Sequence, residues 1–177
     1  PPAPHPPRPP NPPPTLTPQR PKEHARSRKP GPFNIRHGWK TSMQIHLVGG
    51  AVRDLLLGRP VTDRDYLVLD AAREVFQGRY PTARLVGKSF PVFILDGCEY
   101  SWPRGGALER DLELRDLTVN AISLEENGVV HAHPRALADL RQGVLRPCSP
   151  YSISDDPVRA FRAARCAGEL TEYSLAP

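Results

Sequence analysis

At 177 residues the chain has room for about one domain, and its apolar content of 38% falls below the roughly 45–50% of globular chains. The shortfall is local: 14 of the 23 prolines lie in residues 1–32, and residues 1–40 hold eight Lys/Arg against one acid, net +7, while the other 16 basic and 18 acidic residues net −2. No apolar run reaches the roughly 18 residues of a membrane-spanning helix, which excludes such a helix, and no apolar stretch opens the chain, which argues against a secretory signal.

Residues 1–42 read as a Pro-rich, basic, disordered extension that could hold RNA or another polyanion without sequence preference. The first methionine is Met43, and the texture changes directly after it. A strand is expected over 44–48, running into Gly49-Gly50. A helix over 51–57 follows and is stopped by Gly58. A strand over 64–69 comes next, then a helix over 70–77 and strands near 83–86, 91–95 and 98–102. A helix near 116–123, a short strand over 128–131, a helix near 135–141 and a last helix over 157–169 close the chain. Strands lead and helices finish, an α+β pattern. Three cysteines, Cys98, Cys148 and Cys166, are odd in number and lack metal-type spacing. They fit a reducing cytoplasm better than a disulfide scaffold.

Two places carry chemistry on their own residues. Gly49 and Gly50 end a strand where a helix begins. Without Cβ atoms the backbone can approach a ligand closely, and helix N–H groups face it, as phosphate binding requires. Arg53, one turn in, adds a charged donor. Alone, the pair also fits an ordinary strand–turn–helix joint. Asp63 and Asp65 are the second place. Extended residues i and i+2 share a face, so two carboxylates repel unless a cation sits between them. A hard divalent ion such as Mg²⁺ takes such oxygens together with substrate phosphates. A solvated turn is the plain alternative.

In order, Gly-Gly-x-Val-Arg-Asp at 49–54, the run Leu56-Leu57-Gly58-Arg59 and Asp-x-Asp at 63–65 resemble the signature of the class II tRNA nucleotidyltransferase and bacterial poly(A) polymerase family, within the polymerase β-like nucleotidyltransferases. The resemblance implies that Asp63 and Asp65 bind two catalytic Mg²⁺ ions and that Gly49, Gly50 and Arg53 meet the triphosphate. Phe90-Pro91-Val92-Phe93 and Cys98-Glu99-Tyr100 resemble the next strand pair, which makes Glu99 a third catalytic carboxylate. Leu114-Arg115-Asp116-Leu117-Thr118-Val119-Asn120-Ala121 resembles Arg-Arg-Asp-Phe-Thr-Ile-Asn-Ala. Arg115 then contacts the nucleotide, and Asp116 and Asn120 lie near the ribose; Asp116 also suits a helix N-cap. Leu114 replaces the first Arg and removes one expected contact.

Asp155-Asp156-Pro157-Val158-Arg159 resembles the Glu-Asp-x-x-Arg base-selection motif, followed by Arg162 and Arg165. CTP and ATP both offer an exocyclic amine beside a ring-nitrogen acceptor. A carboxylate at Asp156 accepts from the first and the Arg159 guanidinium donates to the second. The same residues also read as an N-cap, a first-turn proline and a solvated arginine face. His131 and His133 stand where the family has Asp-Pro-Tyr-Gly-Gly, with no third metal ligand in view. The short segment between Glu99 and Arg115 is a mark of relatives that add only C.

These motifs lead to three expectations. The first is an α+β head domain over 43–150, a small curved mixed sheet with helices on one side. The second is the truncated start of a helical neck over 151–177, without the body and tail that grip tRNA in the family. The third is template-independent transfer of CMP or AMP from CTP or ATP to an RNA 3′ end, tRNA before others. Poly(A) addition by the same site and a non-catalytic RNA-binding remnant are the alternatives.

Overall fold

A computed structural model of the protein describes residues 43–88 and 90–176, so the extension expected over 1–42 lies outside the described residues. Seven strands form one mixed sheet: β1 (Gln44–Val48), β2 (Asp65–Leu69), β3 (Arg84–Val86), β4 (Val92–Leu95), β5 (Cys98–Ser101), β6 (Ile122–Leu124) and β7 (Val130–Ala132). Their order across the sheet is β3-β4-β5-β2-β1-β6-β7. Only β2 and β5 run parallel; the other neighbours are antiparallel. The longer helices are α1 (Gly50–Leu56), α2 (Arg73–Arg79), α3 (Leu108–Glu113) and α4 (Ala136–Gln142), with a single turn α5 (Ser152–Asp155) before α6 (Val158–Glu169). A parallel ribbon of β8 (Val144–Leu145) and β9 (Ser174–Leu175) ties the segment after α6 back to the end of α4.

Strand alternation sorts the core. Ile45 and Leu47 of β1 face one side, where Val52, Leu117, Val119, Ile122, Leu140, Leu145 and Leu170 pack at one end and Val68, Phe76 and Phe93 at the other. Phe76, fully buried, meets Phe93, Tyr100 and Trp102 at ring-centroid distances of 5.2–5.6 Å. Burying such a side chain stabilises by about 1.5–3 kcal/mol. His46 and Val48 face the other side, where Leu108 and Leu112 of α3 close over Val48 and Leu67. Helices therefore cover both faces rather than the one expected.

The helix expected near 116–123 is a single 3₁₀ turn, Thr118–Asn120, followed by β6. Here tertiary bonds outweigh helix formation. The Thr118 N–H donates to Arg146 O at 2.8 Å, its hydroxyl donates to the buried Asp139 carboxylate at 2.7 Å, and Ile122 O accepts from Gly49 N–H at 3.0 Å. The β-branched Thr118, Val119 and Ile122 suit that outcome. Conversely, the acidic-basic run after Ala107 forms α3. Helix α2 starts three residues later than expected, because Asp70 turns the chain with φ 55°.

Candidate active site

Strand β1 delivers the chain to a turn that only glycine fits. Gly49 has φ 76°, and a Cβ there would stand 3.1 Å from Arg115 Nη1. Its carbonyl accepts from the Val52 and Arg53 N–H groups and so opens α1. The same register places Val48 beside Asp65 on β2, one residue from the turn.

Asp65 in turn is the register partner of Glu99 on the parallel strand β5, which sets the two residues side by side on neighbouring strands about 4.8 Å apart. Asp63 lies two residues before Asp65, in the irregular segment that leads into β2, so the strand face expected for the pair holds only Asp65. Loss of solvation among neighbours raises the Asp65 pKa above the usual carboxylate value; Arg115 pulls it down, Asp63 pushes it up and Arg162 pulls it down. Glu99 is raised by desolvation and then by Asp65, against Arg162. Among the described residues, no hydrogen-bond donor or ion-pair partner reaches the side chains of Asp63, Asp65 or Glu99. No three His, Cys, Asp or Glu side chains among them stand in metal-holding geometry. His131 pairs with Glu125 at 2.6 Å and His133 Nδ1 accepts from Arg135 N–H, so the two histidines serve separate local bonds. The Asp63 and Asp65 carboxylates do match what a hard divalent cation takes alongside a triphosphate.

The arginines are held. Arg53 is buried: its Nε and Nη2 donate to both oxygens of Asp54 at 2.9 and 3.0 Å, and its Nη1 donates to Asn120 Oδ1 at 2.9 Å and to Cys166 Sγ at 3.4 Å. Burial opposes its charge, but the Asp54 bonds outweigh it and keep the pKa high. Arg53 thus joins α1 to the 3₁₀ turn and to α6, whereas the sequence suggested an open phosphate donor. Arg115 is held by Asp111, whose Oδ2 accepts from Nε at 3.0 Å and from Nη2 at 2.9 Å. The other oxygen of Asp111 accepts from the backbone N–H and Nε of Arg104 at 3.1 and 2.9 Å. Asp111 is 2% exposed. Desolvation works against its carboxylate form, and the bonds from Arg104 and the charge of Arg115 overcome it, so its pKa lies below the usual value.

Asp116 is not a helix cap: its Oδ1 accepts from the N–H of Leu117, the residue before the 3₁₀ turn, at 2.7 Å and from Asn120 Nδ2 at 3.4 Å. Asp156 caps α6, with Oδ1 accepting from Val158 N–H at 3.1 Å. Arg159 is turned into the protein, Nη2 donating to Leu114 O and Nη1 to Ser152 Oγ, both at 2.9 Å. Asp155 is exposed at the end of α5. Arg162 and Arg165 project outward at 62% and 77% exposure, within 3.9 Å of Asp116 and 3.5 Å of Glu169. The structure therefore gathers Gly49, Asp63, Asp65, Glu99, Arg115 and Arg162 at one end of the central strands β1, β2 and β5 rather than at an edge strand, and ties Arg53, Asp116 and Asn120 into its support. Sequence reasoning missed Asp54, Asp111 and Ser152. Asp111 was visible as an i, i+4 partner of Arg115; Ser152 carried no signal.

A mixed sheet that ends β1 in a Gly-Gly turn and sets Asp65 beside Glu99 is the fold expected of a polymerase β-like nucleotidyltransferase head domain. The particular resemblance is to CCA-adding enzymes. A multifunctional CCA protein of Azoarcus sp. (strain BH72) is 40% identical over 155 residues, covering 76% of this chain and 37% of that protein. A CCA-adding enzyme of Pseudomonas entomophila (strain L48) is 43% identical over 145 residues, 71% of this chain and 38% of that one. The crystal structure of the Bacillus stearothermophilus CCA-adding enzyme in complex with CTP superposes with a TM-score of 0.67 at 32% identity, covering 77% of this chain and 37% of that one. A tRNA nucleotidyltransferase complexed with a primer tRNA and an incoming ATP analog superposes at 0.62 and 31% identity, covering 76% of this chain and 44% of that one. No family model matches the chain. The resemblance read from the motifs is thereby shown over the head domain, and the chain spans under two-fifths of the length of these curated relatives.

Proposed function

We propose that this chain carries a Mg²⁺-dependent nucleotidyltransferase site that adds CMP or AMP from CTP or ATP to an RNA 3′ end, the 3′ terminus of tRNA first, as a cytoplasmic enzyme. One observation carries the reading: the Gly49 turn, the Asp63, Asp65 and Glu99 carboxylates and the Arg115 guanidinium converge on one end of the central strands, and those carboxylates have no donor among the described residues.

Asp63 and Asp65 would hold the Mg²⁺, which supplies positive charge for the triphosphate and a lower pKa for the attacking 3′-hydroxyl. The residues of the chain do the positioning. The Gly49–Gly50 backbone lets phosphate oxygens approach the first turn of α1, free of Cβ atoms. Arg115, fixed on Asp111, neutralises charge on the triphosphate, and Arg162 on the exposed face of α6 adds to it. Asn120, which accepts from Arg53 and donates to Asp116, presents a fixed polar edge to the ribose together with Asp116. Asp155, Asp156 and Arg159 face the base, and Arg165 extends the basic face toward phosphates or RNA. Asp156 keeps a second oxygen beyond the one that caps α6, so capping and accepting from the base amine are compatible.

Incubating the chain with Mg²⁺, a tRNA lacking its terminal CCA, and CTP or ATP alone tests this. Growth by one or two residues with CTP, and dependence on Asp65, is the expected result. Long tails from ATP alone would point to poly(A) addition. RNA binding without any extension would leave an RNA-binding remnant.

A further inference from the structure

We propose that Ser152 is a positioning residue for base choice: its buried hydroxyl fixes the plane in which the Arg159 guanidinium meets the nucleotide. The inference rests on the base-selecting reading of Asp156 and Arg159 given above.

Ser152 opens α5 and is 1% exposed. Its Oγ accepts from Arg159 Nη1 at 2.9 Å. Its single hydroxyl proton points to Asp116 O at 3.3 Å or Arg115 O at 3.4 Å. The hydroxyl is thus saturated on both sides, one bond to the base-selecting arginine and one to the backbone of the Arg115–Asp116 pair beside the proposed ribose site. Arg159 Nη2 is held separately by Leu114 O at 2.9 Å, and its Nε lies 3.6 Å from the Asp156 carboxylate. A guanidinium is planar with five N–H donors. Anchored at both Nη atoms, it cannot rotate about its own plane, and the donors left over point in fixed directions.

That rigidity matters for discrimination. Cytosine presents a ring-nitrogen acceptor where uracil presents an N–H donor, while both carry a neighbouring carbonyl. A guanidinium held in one plane meets the uracil N–H as donor against donor. A guanidinium free to turn can slip to the carbonyl that both bases share and accept uracil. The Leu114 contact uses only the main chain, so any residue at 114 supplies it. Nη1 also reaches the Ser152 main-chain oxygen at 3.4 Å, but the Ser152 hydroxyl at 2.9 Å is the nearest side-chain anchor, closer than Asp156 at 3.6 Å.

The test is nucleotide binding by the full 177-residue chain, measured by titration calorimetry with CTP and with UTP in Mg²⁺. Ser152→Ala should lower the preference for CTP over UTP by about tenfold, the scale of one hydrogen bond to a charged group, with UTP bound no more weakly than by the wild type. Ser152→Thr, which keeps the hydroxyl, should retain the wild-type preference; its result stands in for the alanine variant if that one does not fold. Arg159→Ala should weaken both nucleotides. An unchanged CTP preference in Ser152→Ala, or an equal weakening of both nucleotides, would overturn the role of Ser152 while a responsive Arg159→Ala leaves base selection standing. No response to Arg159→Ala would overturn both.

Discussion

The two halves of the candidate site are built on opposite terms. On the arginine side, Arg53, Arg115 and Arg159 are each held by protein acceptors: Asp54 and Asn120, Asp111, and Ser152 with Leu114 O. On the carboxylate side, no described residue donates to Asp63, Asp65 or Glu99, and two of them have pKa values raised by desolvation before any other cause. Held groups contribute to stability in the free protein. Unheld like charges cost stability there and become useful only when a cation and a phosphate arrive. Substitutions on the two sides should therefore separate folding from function.

The largest expected effect is on the unheld side. Asp63→Ala or Asp65→Ala should lower nucleotide transfer by a hundredfold or more, about 2.7 kcal/mol of transition-state stabilisation, while the melting temperature stays level or rises. Steady-state rates and a thermal melt check both halves. Next comes the held side. Asp111→Ala leaves Arg104 and Arg115 without their common acceptor and should cost about 3–5 kcal/mol of folding stability, read by denaturant unfolding. Its pH dependence has a definite sign. The folded-state pKa of Asp111 is depressed, so its contribution is complete above the ordinary aspartate pKa of about 3.9 and is lost as pH falls through the lower folded value. The stability gap between wild type and Asp111→Asn should be flat from about pH 5 to 7 and close below about pH 4.

How much of this contrast could be read in the sequence depended on the kind of bond. The strand–Gly-Gly–helix joint and the strands that carry Asp65 and Glu99 were legible, because period and spacing are local. The partners of the arginines were not. Arg53 looks like a free donor until α6 brings Cys166 beside it, 113 residues away. Asp116 reads as the cap of a helix, but no helix follows it, because Thr118 and Ile122 are claimed by Arg146, Asp139 and Gly49 from elsewhere in the chain.

Smaller effects sharpen the same contrast. Gly49→Ala forces φ 76° on a residue with a Cβ that meets Arg115 Nη1 at 3.1 Å. It should cost about 1–2 kcal/mol and disturb transfer as well, since the turn serves both sides. Asp156→Ala removes the bond to Val158 N–H and should cost about 1 kcal/mol. A collapse of the CTP:UTP preference alongside that loss would show that one carboxylate both caps and selects.

The most direct measurement is the thermal shift on adding Mg²⁺ and CTP, comparing wild type with Asp65→Ala. The wild-type chain should melt at a higher temperature with both present, by linkage to the state that binds them. The variant should start level with or above the wild type and shift little or not at all. Equal shifts in the two proteins would contradict the claim that the unpartnered carboxylates are kept for a cation and its nucleotide.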